Sequence, residues 1–314
     1  MYQESFYPAC AAGQIHALRW EPSGEAKAVV QIVHGVSEYA ARYDEFATLL
    51  QSHGILVVAQ DHMGHGCSVS PECGKGDFAG NWFQAVADVH ELFCQTRSQN
   101  RGIPYILLGH SMGSFMVRTI LARYPETALD AVILMGTGWM GNGLIRFGDL
   151  ATRAWGTLFG RHKPSKRMTG LMFHAYNQRI DQHRSDFDWL TRESEVLDRY
   201  LQDPLCAFPV TPALANAMMQ GLRYIQDPVQ LQKMPKKLPI LFVSGDADPV
   251  GNYGEGVHQA AQAFRQVGME RVEVKLYPEC RHEILHEINR QQVQQELMQW
   301  LQQQIAGESG GSYA

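Results

Sequence analysis

Short apolar runs alternate with helical patterns along most of this chain, and this alternation is the feature that most constrains its fold. The runs are rich in β-branched residues and have the length of buried strands. They cover residues 28–33, 55–59, 105–108, 131–135, 240–243 and 272–276. Helical spacing separates several of them, as at 43–53 and 257–267. Strand alternating with helix predicts a mostly parallel α/β sheet covered by helices on both faces, and residues 14–20 predict an antiparallel strand leading into it.

The alternation breaks between residues 138 and 237, where helical spacing continues but no convincing strand appears. This predicts a helical cap inserted at 138–237 into a core made of residues 1–137 and 238–306. The Gly/Ser-rich end, 307–314, is predicted to be a disordered tail. Helix packing accounts for most bulky side chains of the insertion. The candidates for an apolar substrate pocket are Phe147, Trp155, Phe159 and Met218.

Composition argues against several classes of protein. The formal charge is −5 and no Lys/Arg-rich run offers a surface for a phosphate backbone, so we expect no nucleic-acid partner. The first twelve residues lack the pattern of a secretory leader, and no window reaches the roughly 18 apolar residues of a membrane span. Six scattered cysteines without a paired motif suit a reducing compartment. We therefore expect a cytoplasmic globular protein, whose oligomeric state the sequence does not indicate.

Residues 106–113 read I-L-L-G-H-S-M-G and join an apolar strand to a G-x-S-x-G turn centred on Ser111. A serine at the apex of a sharp strand-to-helix turn projects clear of its neighbours, and Gly109 and Gly113 allow the strand and the helix to approach. A helical pattern follows at 115–123 and stops near Pro125. This context predicts that Ser111 is a nucleophile.

A serine hydroxyl needs a general base, and the base needs a carboxylate that fixes its tautomer. His282 follows the apolar run at 272–276, and active sites assemble at the carboxyl ends of parallel strands. We therefore predict that His282 is the base. Two candidate acids, Asp246 and Asp248, follow the run at 240–243. We favour Asp248 and keep Asp246 as the alternative, whose ordinary role would be to cap a turn.

Acyl transfer places negative charge on a carbonyl oxygen, which a backbone N–H group stabilises by about 3 kcal/mol. The predicted donors are Met112, at the start of the helix after the serine, and Val36, in the turn after the strand at 28–33. A second loop, residues 61–66, holds an aspartate and two histidines. We interpret it as a hydrogen-bonded glycine turn, with a metal site as the minor alternative. We expect neither a metal nor a cofactor.

Residues 282–286 also match H-E-x-x-H, the zinc-protease pattern in which two histidines share one face of a helix. In that alternative, His282 and His286 would bind zinc and Glu283 would act as the base. The segment follows a strand and a turn, however, and no clear third ligand lies downstream. The zinc interpretation also leaves the serine turn unexplained, so it stays a minor alternative.

With these motifs assembled, the chain resembles the monoacylglycerol lipase and lysophospholipase-like serine hydrolases, a branch of the α/β-hydrolase superfamily often grouped with serine aminopeptidases. The resemblance extends from residue 14 to residue 303. It is carried by V-H-G-V-S-E-Y-A-A-R-Y at 33–43, D-H-M-G-H-G-C-S at 61–68, L-G-H-S-M-G at 108–113, S-G-D-A-D-P-V at 244–250 and H-E at 282–283.

The resemblance implies an α/β-hydrolase fold and a catalytic triad of Ser111, Asp248 and His282, because the family's G-x-x-D pattern falls on residues 245–248. It implies that Glu38 and Arg42 support the oxyanion loop from behind. No cofactor is implied.

The resemblance also implies an enzyme that cleaves lipid-like carboxylic esters, of the monoacylglycerol or lysophospholipid class, through an acyl-enzyme on Ser111. The expected partner is a small ester or lipid, with transient contact of the cap with a membrane or micelle surface. A broad-specificity short-chain esterase or an aminopeptidase-like amidase would use the same triad. A ligand-binding module that retains the fold without turnover is the non-enzymatic alternative.

Overall fold

A computed structural model describes residues 2–70 and 73–307 of the chain. Eight strands form one sheet: β1 (Gln3–Pro8), β2 (Gln14–Trp20), β3 (Ala28–Val33), β4 (Ile55–Gln60), β5 (Tyr105–His110), β6 (Ala131–Met135), β7 (Ile240–Gly245) and β8 (Val272–Tyr277). Their spatial order is β1-β2-β4-β3-β5-β6-β7-β8. Only the pairings of β1 with β2 and of β2 with β4 are antiparallel among these strands. The predicted mostly parallel sheet with an antiparallel lead-in strand is therefore confirmed.

Helices cover both faces of this sheet. In chain order they are α1 (Asp44–Ser52), α2 (Trp82–Gln99), α3 (Met112–Arg123), α4 (Asn142–Phe159), α5 (Lys166–Phe173), α6 (Ser194–Gln202), α7 (Pro212–Ile225), α8 (Pro228–Leu231), α9 (Glu255–Gln266) and α10 (Arg290–Ile305). Helices α2, α3 and α9 pack on one face, and α1 and α10 pack on the other. This is the α/β-hydrolase arrangement that the sequence motifs imply.

Two hydrophobic cores follow from the strand period of two. In β5, Leu107 belongs to the core under α2 and α3, whereas Ile106 and Leu108 belong to the core under α1 and α10. Every residue of β3, β4 and β5 is buried, which explains why these strands read as continuous apolar runs without alternation.

The segment between β6 and β7 contains α4 to α8 and no strand, as the sequence spacing predicts. Within it, α4 packs along α7, and α7 also contacts α2 and α3 of the core. The segment therefore lies over the face of the sheet that holds the serine helix. That residues 138–237 act as a distinct cap stays a prediction.

The structure also contains elements that the sequence patterns did not predict. β1 pairs with β2 along the edge of the sheet, and several strands extend one or two residues beyond the predicted runs. The predicted tail falls, from residue 308 onward, outside the described residues. No helix in the part of the chain that the structure describes is long and apolar enough to cross a membrane.

Candidate active site

The turn between β5 and α3 consists of Ser111 alone. Its φ of 52° and ψ of −123° lie outside the regions that L-residues prefer. The N–H of Ser111 donates to the carbonyl oxygen of Met135 at 2.9 Å, which holds the turn. A Cβ on Gly113 would overlap the carbonyl oxygen of Val33, so only glycine lets α3 start this close to β3. The strained turn places Ser111 at the carboxyl edge of the sheet.

Asp248 and His282 form a buried pair after β7 and β8. Nδ1 of His282 donates to Oδ2 of Asp248 at 2.9 Å, and Oγ of Ser244 donates to the same oxygen at 2.9 Å. The N–H of Val250 donates to Oδ1 at 2.9 Å. Burial alone would raise the pKa of Asp248, but the charge of His282 and these hydrogen bonds lower it. The side chain is therefore a carboxylate at neutral pH, which fixes His282 in the tautomer with a proton on Nδ1.

The alternative acid, Asp246, lies elsewhere. Its side chain is exposed, and its Oδ1 accepts the N–H of Glu279 at 2.6 Å. The structure thus brings Asp248, and not Asp246, to His282.

Ser111 and His282 line one small cavity of about 20 Å³, which has room for about one water molecule. Nε2 of His282 is buried without a hydrogen-bond partner among residues 2–70 and 73–307. The bond between Ser111 and His282 that proton transfer requires is therefore not formed in this conformation, and such bonds commonly tighten only when substrate binds. The other residues that line the cavity are Gly35, Val36, Ser37, Glu38, His110, Phe173, Phe187, Trp189, Leu190, Tyr200 and Glu283.

Both predicted oxyanion donors lie beside Ser111. Val36 lines the same cavity, and Met112 is the first residue of α3, where an N–H has no acceptor inside the helix. A Cβ on Gly35 would come within 3.0 Å of the Cβ of Ser111 and within 2.7 Å of Oε1 of Glu38. The loop after β3 therefore lies directly against the nucleophile, so a larger residue at position 35 would displace Ser111 or Glu38.

A buried ionic network connects this loop to the loop that carries His282. Oε1 of Glu38 accepts the N–H of Gly35 at 2.6 Å, and Nη1 of Arg42 donates to Oε2 of Glu38 at 2.8 Å. Arg42 also makes two bonds of 2.7 Å to Glu283, the residue after His282. Burial alone would raise the pKa of Glu283, but Arg42 holds it well below its ordinary value. These contacts give the implied support by Glu38 and Arg42 a physical basis.

His110 is a member of this network that the sequence analysis did not identify. Its Nδ1 lies 3.1 Å from Oε1 of Glu38 and 2.8 Å from the hydroxyl of Tyr43, and its ring centroid lies 4.8 Å from that of His282. Burial alone would lower the pKa of His110, but Glu38 raises it above its ordinary value. His110 therefore lies next to His282 and is held in place by its contacts with Glu38 and Tyr43.

The zinc interpretation of H-E-x-x-H is wrong. Residues 284–286 form a single 3₁₀ turn, so His282 and His286 do not share a helical face. Nδ1 of His282 is bound to Asp248, while Nε2 of His286 lies 3.1 Å from the carbonyl oxygen of Arg42. Glu283 is bound to Arg42 as described above.

The glycine-rich loop at 61–66 is a hydrogen-bonded turn. Asp61 accepts the N–H of Ala40 and the N–H of Cys67, each at 2.8 Å, and His62 contacts the loop after β3. Among the described residues, the one group with ligand atoms close enough to hold a metal ion is His16, Asp61 and Cys67. Asp61 accepts several hydrogen bonds there, which agrees with the interpretation of this loop as a hydrogen-bonded glycine turn.

None of the four candidate pocket residues lines the cavity beside Ser111. Phe147 and Phe159 are 68% and 58% exposed, too much for the wall of an enclosed pocket. Trp155 is half-buried and Met218 is buried, and both belong to the packing between α4, α7 and the core. The aromatic residues of the insertion that do line the cavity are Phe173 at the end of α5, Phe187 and Trp189 between α5 and α6, and Tyr200 in α6.

A segment of the insertion, residues 188–192, lies against the loop of His282. The N–H groups of His282 and Glu283 donate to the carbonyl oxygens of Trp189 and Leu190 at 3.3 and 2.7 Å. Nη1 of Arg281 donates to the carbonyl oxygen of Asp188 at 2.7 Å. The insertion therefore contributes directly to the position of His282.

The sheet, the strained serine turn and the buried Asp–His pair at the carboxyl edge define an α/β-hydrolase. The model of the family described as "Serine aminopeptidase, S33" matches residues 24–289. The chain belongs to this family of serine hydrolases.

Individual relatives agree with this assignment. The chain is 27% identical over 290 residues to a monoacylglycerol lipase of Mycolicibacterium smegmatis, covering 90% of each protein. It is 26% identical to the human monoglyceride lipase, over 92% of this chain and 90% of that protein. A thermostable carboxyl esterase from Bacillus coagulans, solved in complex with glycerol, superposes with a TM-score of 0.88 at 26% identity, over 97% of this chain and 99% of that one.

Proposed function

We propose that this hydrolase cleaves carboxylic esters through an acyl-enzyme on Ser111. The observation that carries the proposal is the Asp248–His282 pair, joined at 2.9 Å, because its imidazole lines the same cavity as Ser111 and its Nε2 has no hydrogen-bond partner among the described residues. A base with a fixed tautomer next to a serine on a strained turn is what nucleophilic acyl transfer requires.

In the proposed reaction, Oγ of Ser111 attacks the ester carbonyl while Nε2 of His282 takes the hydroxyl proton. The N–H groups of Val36 and Met112 stabilise the oxyanion that forms. His282, now charged beside Asp248, returns its proton to the leaving alcohol, and the acyl group stays on Ser111. A water molecule activated by the same histidine then releases the carboxylic acid.

The favoured substrates are lipid-like esters of the monoacylglycerol or lysophospholipid class. Aromatic and aliphatic side chains such as Phe173, Phe187 and Leu190 line the cavity. Both carboxylates there, Glu38 and Glu283, are paired with Arg42. Such a wall favours an apolar or hydroxyl-bearing ligand. Relatives named monoacylglycerol lipase support the same class. A short-chain esterase or an amidase would use the same chemistry and differ only in the substrate that the insertion admits.

We also propose that one face of α4 contacts a lipid surface transiently. Part of the exposed surface of this helix is apolar; it consists of Leu144, Phe147, Leu150, Ala151, Ala154 and Leu158. The exposed polar residues Arg146, Arg153 and Thr157 lie beside it. Leu171 of α5 is exposed as well. An amphipathic helix with its apolar side outward has the pattern of an interfacial helix.

The test is steady-state turnover by the wild type and by Ser111→Ala on a panel of monoacylglycerols, lysophospholipids, short alkyl esters and aminoacyl amides. We expect repeated turnover of lipid-like esters that Ser111→Ala lacks. A single acylation without release would favour the binding module, and higher kcat/KM on amides would favour the amidase. Addition of a chelator should leave activity unchanged.

A further inference from the structure

Trp189 holds a buried hydrogen-bond donor next to the candidate active site. The residue is 4% exposed and lines the cavity together with Ser111 and His282. Its indole Nε1–H is buried, and no acceptor among the described residues lies within hydrogen-bond distance of it. Buried tryptophans usually pair this N–H with an acceptor. The missing acceptor therefore points to a group supplied by a molecule that enters the cavity.

The indole is held in this position from both sides. Its ring centroid lies 4.9 Å from that of His282 and 4.8 Å from that of Tyr176. The backbone N–H of Trp189 donates to Oδ1 of Asn177 at 2.9 Å, and its carbonyl oxygen accepts the N–H of His282 at 3.3 Å. A ring fixed by packing and by its own backbone cannot turn freely toward another acceptor. The unpaired donor is thus a preorganised feature of the cavity.

We propose that the indole N–H of Trp189 donates a hydrogen bond to an oxygen of the alcohol portion of the substrate and so favours esters of polyhydroxy alcohols. This inference rests on the proposed function. His282 must return its proton to the leaving oxygen, so the alcohol portion lies next to the imidazole, against which Trp189 packs.

The chemistry of the surrounding walls fits a neutral oxygen acceptor. The two carboxylates of the cavity, Glu38 and Glu283, are both bound to Arg42, so neither is an unpaired charge. The remaining side chains near Trp189 are mainly apolar or aromatic, among them Phe187 and Leu190. In such a wall, one fixed donor discriminates strongly between a ligand with an oxygen at that place and a ligand with a methyl group.

The experiment compares two esters of one acid, the decanoic monoester of glycerol and propyl decanoate, which differ only in the two hydroxyls. Trp189 is replaced by 3-benzothienylalanine, which keeps the shape of the ring and lacks the N–H, and separately by Phe. We expect the first substitution to lower kcat/KM for the glycerol ester about 3- to 10-fold, the range of one neutral hydrogen bond, with little change for the propyl ester.

The matched control is Trp155→Phe, which removes a half-buried tryptophan outside the cavity and should leave the ratio of the two kcat/KM values unchanged. If the benzothienyl variant loses activity equally on both esters, or keeps the wild-type ratio, Trp189 only packs on His282 and the inference is wrong. If the wild type hydrolyses neither ester, or if Ser111→Ala hydrolyses both, the proposed function itself fails. These two failures are therefore distinguishable.

Discussion

Asp246 and Asp248 are two residues apart, yet their surroundings separate their roles. Asp248 is fully buried between His282, Ser244 and the N–H of Val250, whereas Asp246 is exposed and holds a turn. The sequence placed both after the same strand, and Asp248 was favoured with Asp246 as the alternative. In the structure only Asp248 contacts His282, which supports Asp248 as the acid.

Asp248→Asn is therefore expected to lower kcat by about four orders of magnitude, since an amide in that place favours the wrong tautomer of His282. Asp246→Asn should leave kcat nearly unchanged. Steady-state kinetics on one ester, with circular dichroism to verify folding, compare the two variants. The opposite ranking would show that Asp246 is the acid.

Glu283 ties the loop of His282 to Arg42, and its lowered pKa has a consequence for stability. A carboxyl whose pKa is lower in the folded state stabilises the fold above its unfolded pKa of about 4.3, and this contribution is lost as the pH falls toward the folded value. We expect Glu283→Gln to lower the free energy of unfolding by about 3 to 5 kcal/mol at pH 7, because Arg42 loses a buried partner.

The difference in the free energy of unfolding between the wild type and Glu283→Gln should then shrink as the pH is lowered below about 4.5, because the stabilisation by the ionised Glu283 is lost in that range. Urea unfolding of both proteins between about pH 2.5 and pH 7, a range that extends below the unfolded pKa of Glu283, measures this difference. A difference that stays constant over this range would contradict the assigned ionisation of Glu283.

Other residues of the site could not be found from the sequence. Trp189 lies in an irregular segment of the insertion, and its contact with His282 joins parts of the chain that are far apart. His110 occupies the variable position of the G-x-S-x-G motif, whose general chemistry assigns it no role. His110 is next to Ser111 in the chain, but only tertiary packing shows that its ring, like that of Trp189, lies against His282.

At the scale of elements, continuous apolar runs predicted the buried strands well because burial on both faces leaves no polar alternation. β1 escaped prediction because it is an edge strand whose side chains are exposed except for Tyr7. Its place comes from pairing with β2 along the full length of both strands. Such backbone pairing leaves little trace in a sequence.

The apolar side of α4 provides a prediction at this scale. Leu158→Glu should weaken binding to phosphatidylcholine vesicles about tenfold or more, because it removes a side chain that would leave water and adds a charge. Thr157→Glu is the matched control: it adds the same charge at the neighbouring exposed position, on the polar edge of the same helix. Vesicle sedimentation measures both. Equal binding by the two variants would show that this face does not meet lipid.

At the scale of the whole molecule, the sheet and the insertion between β6 and β7 contribute different parts of the candidate site. The sheet positions Ser111, Asp248 and His282 at the ends of β5, β7 and β8. The insertion between β6 and β7 supplies cavity walls such as Phe173, Phe187 and Trp189. Motifs at strand ends can be predicted from the sequence because the turn geometry requires particular residue types. The packing of the insertion requires only side chains that fit their neighbours, so its pocket residues could not be predicted from the sequence.

The cavity of about 20 Å³ is too small for an ester of the proposed class. Substrate entry therefore requires a change in the aromatic residues around Ser111 or in the segments that carry them. The backbone bonds between residues 188–192 and the loop of His282 imply that such a change would also affect the histidine. Opening of the cavity to substrate and the position of His282 are therefore coupled.

The central claim is that Ser111 is the nucleophile, and covalent labelling tests it most directly. The wild type is treated with a fluorophosphonate and digested, and the modified peptide is identified by mass spectrometry. Ser114→Ala is the control, because Ser114 is a buried serine at the start of α3 whose Oγ donates to the carbonyl oxygen of Ser111 at 2.6 Å. We expect one adduct per chain, on Ser111, in the wild type and in Ser114→Ala, with ester hydrolysis lost in proportion to labelling. An unlabelled Ser111 in an active protein, or a Ser111→Ala variant that still turns over esters, would contradict it.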